Sequence, residues 1–598
     1  MNLFPCNNYR VDNFVVLTLC VLCLGFKIKG APPDFTGNNS RKEFSSTILK
    51  IQNRESSNTF HKVSPDKTGV QFVSQVDEWE ASQNRVLYNG AGVAVGDYDR
   101  DGWPDVFLCA IDGNPALYKN KGNWGFVDVT YTAGLKEMGH RHRGAVFADL
   151  NGDDWLDLLV GTVDRGIRTY INRGGVFKGM SEVSGLAGVY APMTMALADV
   201  DGNGTLDLYV TNNRSSDIRD EGSITLRRVG GKLVVPAQYR ERLVVSGGVV
   251  KEYGGADFLF LNDGKAVFKK SSWTDGRFLN SHGEPLREAP LDWGLSAAFH
   301  DINHDDLPDL YVCNDFWTPD RFWINQGGAF KLLGPGSLSK TSASSMGVDF
   351  SDYDRDGDVD LFVVDMLSRD MAMQKRQIEA QNETDRQMTQ SKFGSQVMRN
   401  TLLNNRGDGS FAELAYFAGL HASGWSWSPV FLDVDLDGYE DLIITAGHFK
   451  DTQDMDINAL IQTRQKPRDR SLSSSQRKLQ FAKEMMANNR LYPSLDLPVI
   501  TFRNRGDGVF EEKTSQWGTD DRGIHHGMAL ADFDLDGDMD LVVNNMNQEP
   551  GLYENRFMAP RIAVVLHGES PNTQGIGSKV SLSGGAVVKQ TKEVVSGG

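Results

Sequence analysis

Cysteine is scarce in this chain: of five in 598 residues, only Cys109 and Cys313 lie beyond position 23. A disulfide-stapled scaffold is therefore excluded, since such folds need a dense, even set of cysteines. Long apolar runs are also missing. The best, residues 14–26, is shorter than the roughly 18–20 residues that a membrane helix needs. Basic residues are outnumbered, 62 Lys and Arg against 79 Asp and Glu, for a net charge of −17. With no Lys/Arg clusters to neutralise phosphates, nucleic acid is excluded as a partner. No Ser nucleophile elbow, phosphate-binding Gly loop or HExxH zinc motif occurs. What the chain has in excess is glycine, 62 residues, and carboxylate.

The apolar run 14–26 follows Arg10 and precedes Lys27, Lys29 and a Ser-rich stretch, so residues 1–30 read as a signal peptide. The mature chain is then expected to be secreted, extracellular or held in a cell envelope, with no transmembrane span.

One motif recurs seven times, in segments such as GDYDRDGWPDVFL from Gly96 and ADFDLDGDMDLVV from Ala531. Its spacing is near fifty residues, with three longer gaps at 214–256, 366–400 and 449–497. Each copy leads into a short apolar run, then an Asn, a Gly turn and often a Phe, as in YINRGGVF from Tyr170. Short β-runs with Gly- and Asn-rich turns make a unit of about four strands, the size of a propeller blade. The fold class predicted is all-β, a seven-bladed β-propeller over 69–557 after a polar linker 31–68, with 558–598 a partial C-terminal β module. The segment from Gly69 is expected to supply the strand that closes the seventh blade. Cys109 and Cys313 fall at equivalent places in different blades, too far apart to pair. The third insertion is expected to hold a helix over 474–488.

The motif places side-chain oxygens at positions one, three, five and nine of a tight turn. They are Asp97, Asp99, Asp101 and Asp105 in the first loop, and Asp149, Asn151, Asp153 and Asp157 in the second. Asp199, Asp201, Asn203 and Asp207 form the third, and Asp301, Asn303, Asp305 and Asp309 the fourth. Then follow Asp352, Asp354, Asp356 and Asp360; Asp433, Asp435, Asp437 and Asp441; and Asp532, Asp534, Asp536 and Asp540. Alternate carboxylates around a bend suit calcium, a hard cation that takes six to eight oxygens in flexible geometry; magnesium demands a stricter octahedron. Transition metals favour His or Cys ligands, absent from these four positions. The EF-hand pattern fails because position twelve of the first loop is Leu108. Up to seven Ca2+ ions are expected, with loops two and four altered in geometry because Asp154 and Asp306 stand where the others carry Gly.

These residues resemble the FG-GAP or VCBS repeats of integrin α-like propellers. MGVDFSDYDRDGDVDLFVVDM from Met346 and YVCNDFWTPDRFWINQGG from Tyr311 resemble repeats of the cartilage acidic protein family, and the tail from Arg561 is similar to the start of its ASPIC/UnbV module. That module would continue past Gly598. The resemblance implies calcium binding and an extracellular or envelope location, and it implies no reaction.

The leading functional reading is a binding, adhesion or scaffold module for a protein or glycan partner. The alternative is a propeller enzyme, a hydrolase, lyase or isomerase, using His and Trp residues on the central face. HRHRG from His140 and IHHG from Ile524 occupy equivalent places before a loop. The ligand face expected from such positions comprises His142, Arg143, Trp293, Trp425, Trp427, His525 and His526, at one end of the central axis.

Overall fold

The computed structural model describes Val16–Cys20 and residues 59–597, apart from positions 137, 140, 222–225, 247–248, 335, 378–394, 465–472 and 585. Seven blades of four antiparallel strands succeed one another along the chain, each with its own first strand inside the other three. The inner strands are Val93–Gly96, His142–Ala148, Ala191–Ala198, Gly294–His300, Gly347–Ser351, Ser426–Leu432 and His525–Ala531. Every one runs directly into an acidic loop, and the second strand starts at that loop's ninth position, as Asp157–Thr162 does in blade 2.

The strands are nearly continuous apolar runs because both faces of a blade are covered by its neighbours. Accordingly, the propeller core divides into seven apolar clusters, one per blade interface, and a small eighth lies in the tail around Val580 and Leu582. Val106 and Leu108 of blade 1 pack with Phe533 and Val542 of blade 7, and Tyr311 of blade 4 with Leu361 of blade 5. Contacts of this kind, each repeat with its two neighbours, are the hallmark of repeat architecture. Cys109 and Cys313 are buried and unpaired, as expected.

The ring closes with Phe60–Lys62, which pairs antiparallel with Gly551–Asn555 and becomes the outer strand of blade 7. The closing strand is thus upstream of the segment from Gly69 that the sequence suggested. Ser64 caps a single helical turn, Pro65–Thr68, and Gly69 ends it in the left-handed region (φ 69°), so the chain has already turned away from the blade before Gly69. The expected helix in the third insertion spans Ser474–Asn489, opened by a Ser473/Gln476 capping box.

Beyond blade 7, the tail forms strands Arg561–Val565, Lys579–Ser583 and Lys589–Glu593. Val16–Cys20 pairs antiparallel with Arg561–Val565. The last strand, Ser596–Gly597, adds to the inner edge of blade 3 opposite Leu197 and Ala196, and so enters the central channel.

Candidate metal centres and channel

All seven acidic loops share one backbone design. The sixth position has positive φ throughout: Gly102, Asp154, Gly204, Asp306, Gly357, Gly438 and Gly537. So does the fourth: Arg100, Gly152, Gly202, His304, Arg355, Leu436 and Leu535. A left-handed Leu or Arg is unfavourable on its own and persists only where surrounding bonds hold it. The first aspartate supplies such bonds. Asp97 accepts the backbone N–H groups of Asp101 (3.1 Å) and Gly102 (2.8 Å), and Asp433 those of Asp437 and Gly438, both 2.9 Å.

The ninth aspartate ties the loop to the sheet. Asp105 accepts from Tyr98 N and, at 2.8 Å, from Asn120 N on the third strand. The same third-strand contact recurs from Asn172, Asn262, Asn325, Asn405, Asn504 and Asn555. Each of these seven asparagines also sends its side-chain Nδ2–H to the second-position carbonyl of the preceding loop. Asn172 reaches Tyr98 at 2.7 Å, and Asn120 reaches Phe533 at 2.9 Å across the closure between blades 7 and 1. The remaining five complete an unbroken ring of loop-to-loop bonds.

Carboxylates converge in five of the loops. Ligand oxygens lie within 4.8 Å of one another in Asp97/Asp99/Asp101, Asp199/Asp201/Asp207, Asp352/Asp354/Asp356, Asp433/Asp435/Asp441 and Asp532/Asp534/Asp540. Loops two and four have Asn at the third position and form no such triad of acidic groups among the described residues. A buried carboxylate oxygen without a hydrogen-bond partner remains in loops one, three, five and six: Asp99 Oδ1, Asp201 Oδ1, Asp360 Oδ2 and Asp435 Oδ1. Burial pushes the ninth carboxylates far up, Asp105 and Asp360 to about 9, Asp157 and Asp309 to about 8. Hard, converging, uncompensated oxygens fit a divalent cation, whose charge would reverse that rise. Some compensation already comes from the protein: Lys119 contacts Asp99 and Asp101, and Arg503 contacts Asp435 and Asp437.

The tail lies on this same end of the ring. Arg561, with its side chain fully buried, binds Asp536 and Asp538 of loop seven at 3.0 and 3.1 Å. Thr573 and Gln574 engage Asp149 of loop two, and Lys579 engages Asp301 of loop four. Lys592 pairs with Glu440, which also accepts from Ser351.

Inside the ring is a cavity of about 1480 Å³ lined by all seven inner strands and the tail. Of the expected ligand face, Arg143, Trp427 and His526 line it; His142, Trp293, Trp425 and His525 do not. Successive strand residues point to opposite sides, and a register break after His142 and after His525 turns those two rings outward. The His142 ring contacts the Ala110 and Met138 carbonyls, and His525 contacts Asn545 and the Asp521 carbonyl. Trp293 donates to the Glu252 carbonyl and meets Phe316 edge-on, while Trp425 stacks on His448 at 3.9 Å. His140 lies outside the described residues.

The FG-GAP-like repeat family matches residues 97–160, 149–210, 301–363 and 494–543. Cartilage acidic protein 1 of Mus musculus is 28% identical over 181 residues, 29% of this chain and 28% of that protein. The Homo sapiens protein of the same name is 27% identical, over 29% of this chain and 27% of its own. The matched stretch thus spans little more than a quarter of those relatives. Among solved structures, AofleA from Arthrobotrys oligospora aligns over 61% of this chain and 81% of its own, at 12% identity and a TM-score of 0.29, too low to bear on function.

Proposed function

From its place among the FG-GAP repeat propellers related to cartilage acidic protein 1, we propose that this chain is an exported, calcium-binding module that serves as a binding, adhesion or scaffold surface for a protein or glycan partner. The observation that carries the reading is the set of five converging carboxylate clusters on one end of the ring, four of the loops holding a buried carboxylate oxygen with no donor. Calcium would supply the missing positive charge and fix the loops as one surface. Export is supported by the leader-like run at 14–26. The enzyme alternative keeps only His526, of the histidines first considered, on the channel among the described residues.

The test is a calcium titration of EDTA-treated protein followed by thermal melting. Calcium should restore the melting temperature better than magnesium, because an ion held only by the folded state stabilises it by about 2.7 kcal/mol at a hundred times its Kd. Asp354→Ala should remove one bound ion and leave the ring folded. A melting curve indifferent to EDTA and calcium would sink the metal reading.

A further inference from the structure

Three arginines of the described chain are buried, and two of them have carboxylate partners. Arg399 pairs with Glu413, and Arg561 with Asp536 and Asp538. The third, Arg143, is only 3% exposed and lies at the end of the channel remote from the acidic loops. It donates from Nη2 to the Val86 carbonyl at 2.9 Å and abuts the Met193 sulfur, while its Nε has no partner. No Asp or Glu among the described residues makes an ion pair with it, and burial alone lowers its pKa, to about 10. At neutral pH it is therefore a charged guanidinium with no counter-ion, a costly arrangement in a protein interior.

The surroundings define what could compensate it. Blades 3 to 7 bring Met193, Leu295, Met346, Trp427 and His526 to the cavity wall. Blade 1 contributes Asn89, Gly90, Ala91 and Gly92 there, and a Cβ on Gly90 would lie 2.1 Å from His526 Nδ1. His526 is 4% exposed, its Nε2 has no partner, and Trp427 meets its ring edge-on at 4.7 Å. Burial depresses its pKa to about 3, so it offers a hydrogen bond without adding charge. At this end of the channel, away from Lys579, Lys592 and the loop carboxylates that line the other, one cation, one neutral imidazole and an apolar wall suit a single negative charge on an apolar body. The cavity exceeds the roughly 300–1,000 Å³ of typical small-molecule sites.

We propose that the channel binds a small organic monoanion, a carboxylate bearing a flat apolar group. The carboxylate would sit on Arg143 and His526, and the apolar group against Trp427, Leu295 and the methionines. Planar guanidinium and carboxylate match in geometry as well as charge. This site does not depend on the calcium reading.

The probe is phenylacetate, titrated calorimetrically into the full calcium-treated chain, with 2-phenylethanol as the uncharged counterpart and inorganic phosphate as the anion without an apolar body. Phenylacetate should bind one-to-one and raise the melting temperature, with both controls at least ten-fold weaker. Arg143→Met should weaken phenylacetate at least ten-fold while leaving the melting temperature of the unliganded protein equal or higher, since it removes an uncompensated charge. Arg143→Lys, which keeps the charge, should retain part of the binding, and Trp427→Leu should weaken it. The proposal is overturned by absence of binding at millimolar phenylacetate, by phosphate binding equally well, by unchanged affinity in Arg143→Met, or by a lower melting temperature in that variant with no binding in Arg143→Lys.

Discussion

At the scale of single residues, the buried histidines set an acid limit on stability. His526 and His448 are held neutral by burial, with folded-state pKa values depressed to about 3 and about 4 from the ordinary 6.5; His448 and His525 add repulsion at His526. The unfolded chain therefore binds more protons than the folded one as pH falls from 6.5 toward these values. Their stabilising contribution is complete above pH 6.5 and is lost on acidification. Asp257 and Asp320, raised to about 7 by burial, act with the opposite sign, but they are present in wild type and variant alike. His526→Gln should accordingly flatten the melting-temperature profile between pH 6.5 and 4 relative to wild type, and parallel profiles would show that His526 is not neutral in the fold. At this scale the seven acidic loops are legible from spacing alone, and fifteen of their 28 expected ligand positions converge as acidic triads. The left-handed fourth position is not, because Arg100, Arg355, Leu436 and Leu535 carry no turn signal, and only Gly152 and Gly202 hint at it. The outward turn of His142 and His525 has no sequence signature either, since a register break leaves no mark in composition.

At the scale of elements, the recurrent third-strand asparagine does more than end a strand. Asn172 donates to the Tyr98 carbonyl of blade 1 and, at 3.0 Å, to the Leu156 carbonyl of its own loop. Removing it leaves two buried carbonyls short of a donor, at about 1–3 kcal/mol for an unsatisfied buried group. Asn172→Ala should lower the urea-derived stability by at least that range, and a change within about 0.5 kcal/mol, typical of neutral surface sites, would show the bridge to be dispensable. Because the bonds run from loop to loop, the same variant should also weaken calcium binding in loop one. The sequence displayed the Asn in every repeat, yet a partner in the neighbouring blade is invisible in a one-dimensional pattern.

At the scale of the whole molecule, the tail clamps the acidic end of the ring through loops two, four, six and seven. Breaking a buried ion pair by removing one partner costs about 3–5 kcal/mol. Arg561→Ala should release the tail, so that trypsin cuts at Lys579, Lys589 and Lys592 while the propeller stays intact. A tail still protected in that variant would mean that the Lys579 and Lys592 contacts suffice. Nothing in the tail's own sequence indicates which loops it engages, because its lysines, arginine and threonine find partners contributed by distant blades.

The strand that closes the ring also imposes a schedule on synthesis. Phe60–Lys62 is made roughly 500 residues before its partner Gly551–Asn555, and at about 5–20 residues per second the wait is on the order of 25–100 s. Throughout that interval, blade 1 has no neighbour on one side, and Val106, Leu108 and Phe126 lack the Phe533 and Val542 that later cover them. Completion of the ring thus waits until the seventh blade has been made. A nascent chain of six blades is the species most exposed to pairing with another copy of itself, and anything that delays contact between such chains protects the yield of closed rings.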